Sequence, residues 1–119
     1  MKKKNAYILT LVLCLSLFVN VSCKRQSVTT DAALKFIQSL AEVMEYSKAL
    51  KKKGVKPFIR NDISNKEPDK IYFSVGESHE THTVNWNSFA VDKKTGEVFV
   101  LDIESGEFIP LQDWRSAQE

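Results

Sequence analysis

Polar and apolar residues alternate with two different periods along this chain, and the change of period divides it. From Ala33 onward Phe36, Ile37, Leu40, Val43, Met44, Ser47 and Leu50 fall on one stripe of a 3.6-residue repeat, with Glu42, Glu45, Lys48 and Lys52 largely opposite. Thr29 or Thr30 can cap such a helix, and Asp31 places a carboxylate on its positive end. Lys51 to Lys53 followed by Gly54 read as its stop. The spacing therefore predicts one helix running to about Lys53; about 23 residues at ~1.5 Å each make it roughly 34 Å long.

Beyond Gly54 the period drops to two. Val55 to Ile59 contains Pro57 and is at best a short edge strand, and the Asn, Asp, Ser and Pro content of 60–70 marks a loop. Ile71, Phe73 and Val75 share one side of a half-buried strand. In the next strand, Thr81 to Val91, Val84 and Trp86 have one parity and Phe89 and Val91 the other, so a slip or bulge is expected near Asn87-Ser88. Val91-Asp92-Lys93-Lys94-Thr95-Gly96-Glu97 returns ten residues later as Leu101-Asp102-Ile103-Glu104-Ser105-Gly106-Glu107. Each copy has an aspartate to open a turn, a hydroxyl residue and a glycine for positive φ, which predicts two consecutive hairpins with strands near 97–102 and 107–111. Asp92 and Asp102 lack the alternate oxygen ligands of a calcium loop.

The predicted fold is α+β: one long N-terminal amphipathic helix packed on a curved, four-stranded antiparallel meander. That arrangement resembles the cystatin-like and NTF2-like architectures. The stretch from Trp86 to Val98 also resembles the strand–turn–strand segment of small exported NTF2-fold immunity proteins, and its aspartate-to-glycine hairpin is similar to that of PepSY-type modules.

The first residues carry a different signal. Lys2, Lys3 and Lys4 precede an uncharged run from Ala6 to Val21, shorter than the ~20 apolar residues a membrane span needs. The run ends in Val21-Ser22-Cys23, and the segment resembles a bacterial lipoprotein signal, with Asn20 where an aliphatic residue is usual. That resemblance implies cleavage before Cys23, lipid on Cys23, and residence on the outer side of a bacterial membrane. The expected organisation is a signal over 1–22, a tether over 23–30 and a single domain over 31–119. Removing 22 of the 119 residues leaves 97, with 14 basic against 15 acidic groups. The electrostatic footprint of a nucleic-acid binder is then absent, and the lysines at 51, 52, 53 and 56 read as helix-dipole compensation.

Chemistry-bearing residue types concentrate in Glu77-Ser78-His79-Glu80-Thr81-His82. His79 and His82 are metal candidates only if the chain turns between them, because their spacing is not that of a helical zinc motif. Neither a nucleophile elbow nor a phosphate loop occurs, and no cofactor is called for. Glu77, His79, Glu80, His82, Lys93, Lys94 and Trp114 are the candidate contacts for a protein partner, Trp114 because an exposed tryptophan can anchor an interface. The leading expectation is a non-enzymatic, lipid-anchored envelope module that occludes a toxin or hydrolase, in the manner of an immunity protein. The alternatives are a small-ligand or hydrolytic pocket using His79 and His82, and a structural envelope lipoprotein.

Overall fold

A computed structural model describes residues 26–63 and 67–119. The signal segment and Cys23 lie outside the described residues. The fold is α+β, and the described residues form three short helices and five antiparallel strands: α1 (Thr30–Ser39), α2 (Ala41–Lys52), β1 (Lys56–Asn61), β2 (Lys70–Ser78), β3 (Thr83–Asp92), β4 (Val98–Leu101), β5 (Phe108–Pro110) and α3 (Leu111–Ala117). The strands form a meander in the order β1-β2-β3-β4-β5.

This corrects the expectation of one long helix on four strands, and with it the cystatin-like or NTF2-like arrangement. The helical stripe is broken at Leu40, whose ψ of 134° is extended backbone. No proline or glycine causes the break. Ser39 Oγ donates to the Phe36 carbonyl at 2.8 Å, and the Leu40 N–H closes a tight final turn on Ile37. Such back-bonding competes with helix continuation. The break redirects the chain: α1 packs on β2, whereas α2 crosses to the edge strand β1. At the start of α1, Thr29 accepts from the Ala32 N–H at 3.2 Å.

The fifth strand is β1, which Pro57 disguises. The Asp62 N–H donates to Tyr72 at 2.8 Å, so alternation turns the N position of Pro57 toward solvent, where a missing donor costs no ladder bond.

Ile71, Phe73, Val75, Phe89, Val91 and Val100 form the helix-facing side of the sheet and bury against Ala33, Ile37 and Val43. Each large side chain fully removed from water there contributes on the order of 1.5–3 kcal/mol. Phe36 and Met44, on the same predicted stripe, remain 41% and 48% exposed. Among the described residues no helix covers the opposite face; there Tyr72 and Phe108 meet edge to face at 5.2 Å, and Lys70 lies 4.7 Å over the Phe99 ring.

Two features of β2 and β3 shape the hairpin that joins them. Val75 pairs with Asn87 but Gly76 with Asn85, so Trp86 is an extra residue on β3. The bulge lies one step before the expected place and reconciles the two parities. Gly76 belongs to β2. A side chain at Gly76 would run into the Val84 carbonyl oxygen and come within 2.9 Å of the Phe58 ring, so close backbone approach at the bulge requires glycine.

Candidate functional site

The β2–β3 hairpin, the β4–β5 turn and the C-terminal end of α3 gather near one end of the sheet. At the hairpin tip the His79 N–H donates to the His82 carbonyl at 2.9 Å, and the two imidazoles stack 4.8 Å apart with planes 17° from parallel. His79 Nε2 lies 3.2 Å from Glu77 Oε1, and His82 Nδ1 is 3.1 Å from Thr81 Oγ1. The turn thus unites the two histidines, but nearly parallel rings aim their in-plane lone pairs side by side rather than at one ion. No set of three or more His, Cys, Asp or Glu arranged to hold a metal occurs among the described residues. Glu80 is exposed at the tip.

Lys93 and Lys94 stand elsewhere, on the β3–β4 turn at the opposite end of β3. The Lys93 backbone is engaged on both sides: its carbonyl accepts from the Val28 N–H at 2.7 Å and its N–H donates to the Asp69 carbonyl at 2.9 Å. The seven candidate contacts therefore do not form one surface.

Trp114 lies in α3, a helix that the strand-centred reading missed. Its signals are Pro110 at the N-cap, Asp113 in the first turn, and Leu111 and Trp114 three residues apart, both packed against the core. Arg115 fastens this helix to α2 by a two-pronged pair with Glu42, Nε to Oε1 at 2.6 Å and Nη2 to Oε2 at 3.1 Å. The Arg115 hydrogen bond holds the Glu42 carboxyl below its ordinary value of 4.5 against the opposing effect of burial. On the face away from the helices Tyr72 is pushed up to about 12, by burial first and then by Glu67, which accepts its hydroxyl at 2.9 Å.

Between α3 and the β4–β5 turn is a cleft of about 360 Å³, lined by Asn87, Ile109 and Trp114 inside and by Asp102, Ile103, Glu104 and Gln118 toward its mouth. Asn87 is 8% exposed, the one polar side chain buried to that degree among the described residues. Its Oδ1 accepts from the Ser88 N–H at 2.9 Å, and every fully enclosed side-chain polar atom has a partner. Asn87 lines the cleft from this position. The bulge creates this arrangement: Trp86 stacks on Tyr46 of α2 at 4.3 Å, and the next residue sits under α3 on the same side of the sheet. Asn87 was not a sequence candidate; the parity conflict around it was the only trace.

The fold and cleft define the class: a single-sheet α+β module with a polar-floored, aromatic-walled recess. Comparison with protein-family models, curated proteins and solved structures finds no match. Among the described residues no helix is long and apolar enough to cross a membrane.

Proposed function

We propose that the chain is an envelope binding module, anchored through lipid on Cys23, that occludes a protein partner such as a toxin or hydrolase. The observation that carries the binding reading is the cleft itself, lined by the 8%-exposed Asn87 and walled by half-buried Trp114. A recess with few directed polar groups among apolar walls is how proteins orient a ligand. The anchoring reading rests on the basic head, the short apolar run and Ser22-Cys23. Docking α3 through Arg115 and Glu42 holds the cleft wall in place, so recognition needs no rearrangement of the core.

Two measurements test this. The membrane-extracted protein is expected to exceed the mass of the chain from Cys23 by a diacyl-sized increment that Cys23→Ser loses; equal, unmodified masses reject the anchor. A photo-crosslinking residue at Gln118, on the cleft rim, is expected to give one discrete adduct with an envelope protein, and the same residue at exposed Lys35 on α1 none. Absence of an adduct at Gln118, or the same adducts at both positions, rejects occlusion through this cleft.

A further inference from the structure

We infer that the face formed by the second half of α2 and the edge strand β1 docks on an anionic lipid bilayer; this rests on the anchoring reading above and names the face that meets the membrane. From Lys48 to Lys56 the chain carries five lysines and no acidic residue. All five are exposed, and none has an ion-pair partner among the described residues. The acidic residues of α2 lie in its first half, where Glu42 is committed to Arg115 and Glu45 pairs with none of these lysines. The helix dipole accounts for Lys51 and Lys52, in the last turn of α2, but not for Lys48 or Lys56. An uncompensated cluster of one sign repels itself and is relieved by opposite charge brought from outside.

Charge alone would suit any polyanion; the apolar content of the same face specifies a membrane. Met44, Ser47, Lys48 and Lys51 fall three and four residues apart on one side of α2, and with Val43 and Ile59 they line a groove of about 320 Å³. Met44 is 48% exposed beside the lysines. An exposed thioether on a cationic face matches the bilayer interface, where apolar groups dip below the headgroups while lysine ammonium groups meet the phosphates.

The course of the chain brings this face within reach of the bilayer. Gln26, the first described residue, is three residues from Cys23, a span of at most about 10 Å. The bond from the Val28 N–H to the Lys93 carbonyl fixes the chain to the sheet, and α1 then carries it roughly 12 Å from Thr30 to Gln38, which lines the groove. An anchor so close makes docking intramolecular, so a modest attraction at each lysine is enough to hold the face down. β1 and β5 are opposite edges of the sheet, ~19 Å apart across the meander. Docking by the β1 edge therefore leaves the cleft between α3 and the β4–β5 turn on the far side, open to a partner.

The experiment places the ¹⁵N-labelled full chain in isotropic bicelles doped with a nitroxide-headgroup lipid, once in phosphatidylcholine alone and once in equal parts phosphatidylcholine and phosphatidylglycerol. Backbone amides from Met44 to Lys56 are expected to broaden in the anionic bicelles and to sharpen again in about 1 M salt, where the screening length is ~3 Å. In phosphatidylcholine alone, broadening is expected only beside the tether, from Gln26 to Thr30. Lys48→Gln combined with Lys51→Gln is expected to lower the docked-to-free ratio on the order of tenfold, and Met44→Ser severalfold. Lys93→Gln combined with Lys94→Gln removes the same charge at the β3–β4 turn and is expected to leave the pattern unchanged. Broadening confined to the tether side in both compositions, or abolished by the Lys93 and Lys94 changes rather than those at Lys48 and Lys51, keeps the anchor and overturns the docking face. Indifference to Met44→Ser would mean that charge alone is read, and overturns the membrane assignment. Broadening nowhere rejects anchor and inference together.

Discussion

The β3–β4 and β4–β5 turns are two nearly superposable copies of one local structure with opposite tertiary roles. In each, the aspartate N–H donates to the glutamate carbonyl five residues on, at 2.9 and 2.8 Å, and the glycine N–H returns to the aspartate carbonyl, at 2.9 and 2.8 Å. Gly96 and Gly106 have φ of 73° and 72°. A hydroxyl, Thr95 or Ser105, then accepts from the following glutamate N–H at 3.2 and 3.3 Å. The surroundings differ. A methyl group at Gly96 would touch Phe36 and Val28 at 3.7 and 3.8 Å, whereas nothing lies within 4 Å of one at Gly106. In the first turn the backbone of Lys93 ties the start of the described chain to the sheet; in the second, Ile103 and Glu104 are left exposed beside the cleft. Turn geometry is therefore local, and function enters through the residues that the geometry leaves free.

Substitution of the glycines sharpens this most strongly. Gly76→Ala sets the upper end of the scale at about 3 kcal/mol, because the carbonyl it meets belongs to a paired backbone and cannot yield. Gly96→Ala and Gly106→Ala are each expected to cost about 1–2 kcal/mol, the penalty of a side chain at positive φ. The contact waiting at Gly96 is ordinary van der Waals distance, so the two losses should agree in urea unfolding. A harmless Gly106→Ala beside a costly Gly96→Ala would show that docking, rather than local chemistry, sets the first turn.

The side chains at the turns should separate where the glycines do not. Val28→Ala removes a partly buried group packed against both the core and Gly96, and is expected to lower stability by about 1 kcal/mol. Ile103→Ser should stay within about 0.5 kcal/mol of the parent, since its side chain is almost wholly in solvent. Comparable losses in the two variants would mean that the second turn is also a structural support, and would count against reserving it for a partner.

The range of each interaction decides how much of this is legible in the sequence. The repeated turn is legible because aspartate, hydroxyl residue and glycine make all its hydrogen bonds within six residues. The parity conflict between Trp86 and Phe89 announces the bulge for the same reason. The helix break is hard to read: Leu40 continues the apolar stripe, and a lone Ser39 does not announce that its hydroxyl will bond back to Phe36 and end the helix there. β1 is masked by Pro57, whose permitted side depends on which strand edge faces solvent. The cleft is hidden further still, since Asn87, Trp114 and Glu104 come from three elements that only the completed meander brings together. Cys23 and the signal segment are read from sequence alone.

The smallest effect expected at the first turn is in acid. Asp92 Oδ1 accepts two backbone N–H bonds, from Lys94 at 2.8 Å and Thr95 at 3.0 Å. The Thr95 and then the Lys94 N–H hold its carboxyl below the ordinary value of 3.8. A group whose folded value is depressed favours folding above its unfolded value and loses that contribution as pH falls through the folded one. The contribution of Asp92 should thus be complete above pH 3.8 and fade below it. Asp92→Asn can still accept through its amide oxygen but cannot carry the charge, so it should be less stable than the parent at neutral pH and converge on it as the solution is acidified below 3.8. Urea midpoints of the two proteins, measured at neutral pH and at successive steps through that window, check this. A gap that persists unchanged into strong acid would assign the turn's stability to the shape of the side chain and not to its charge.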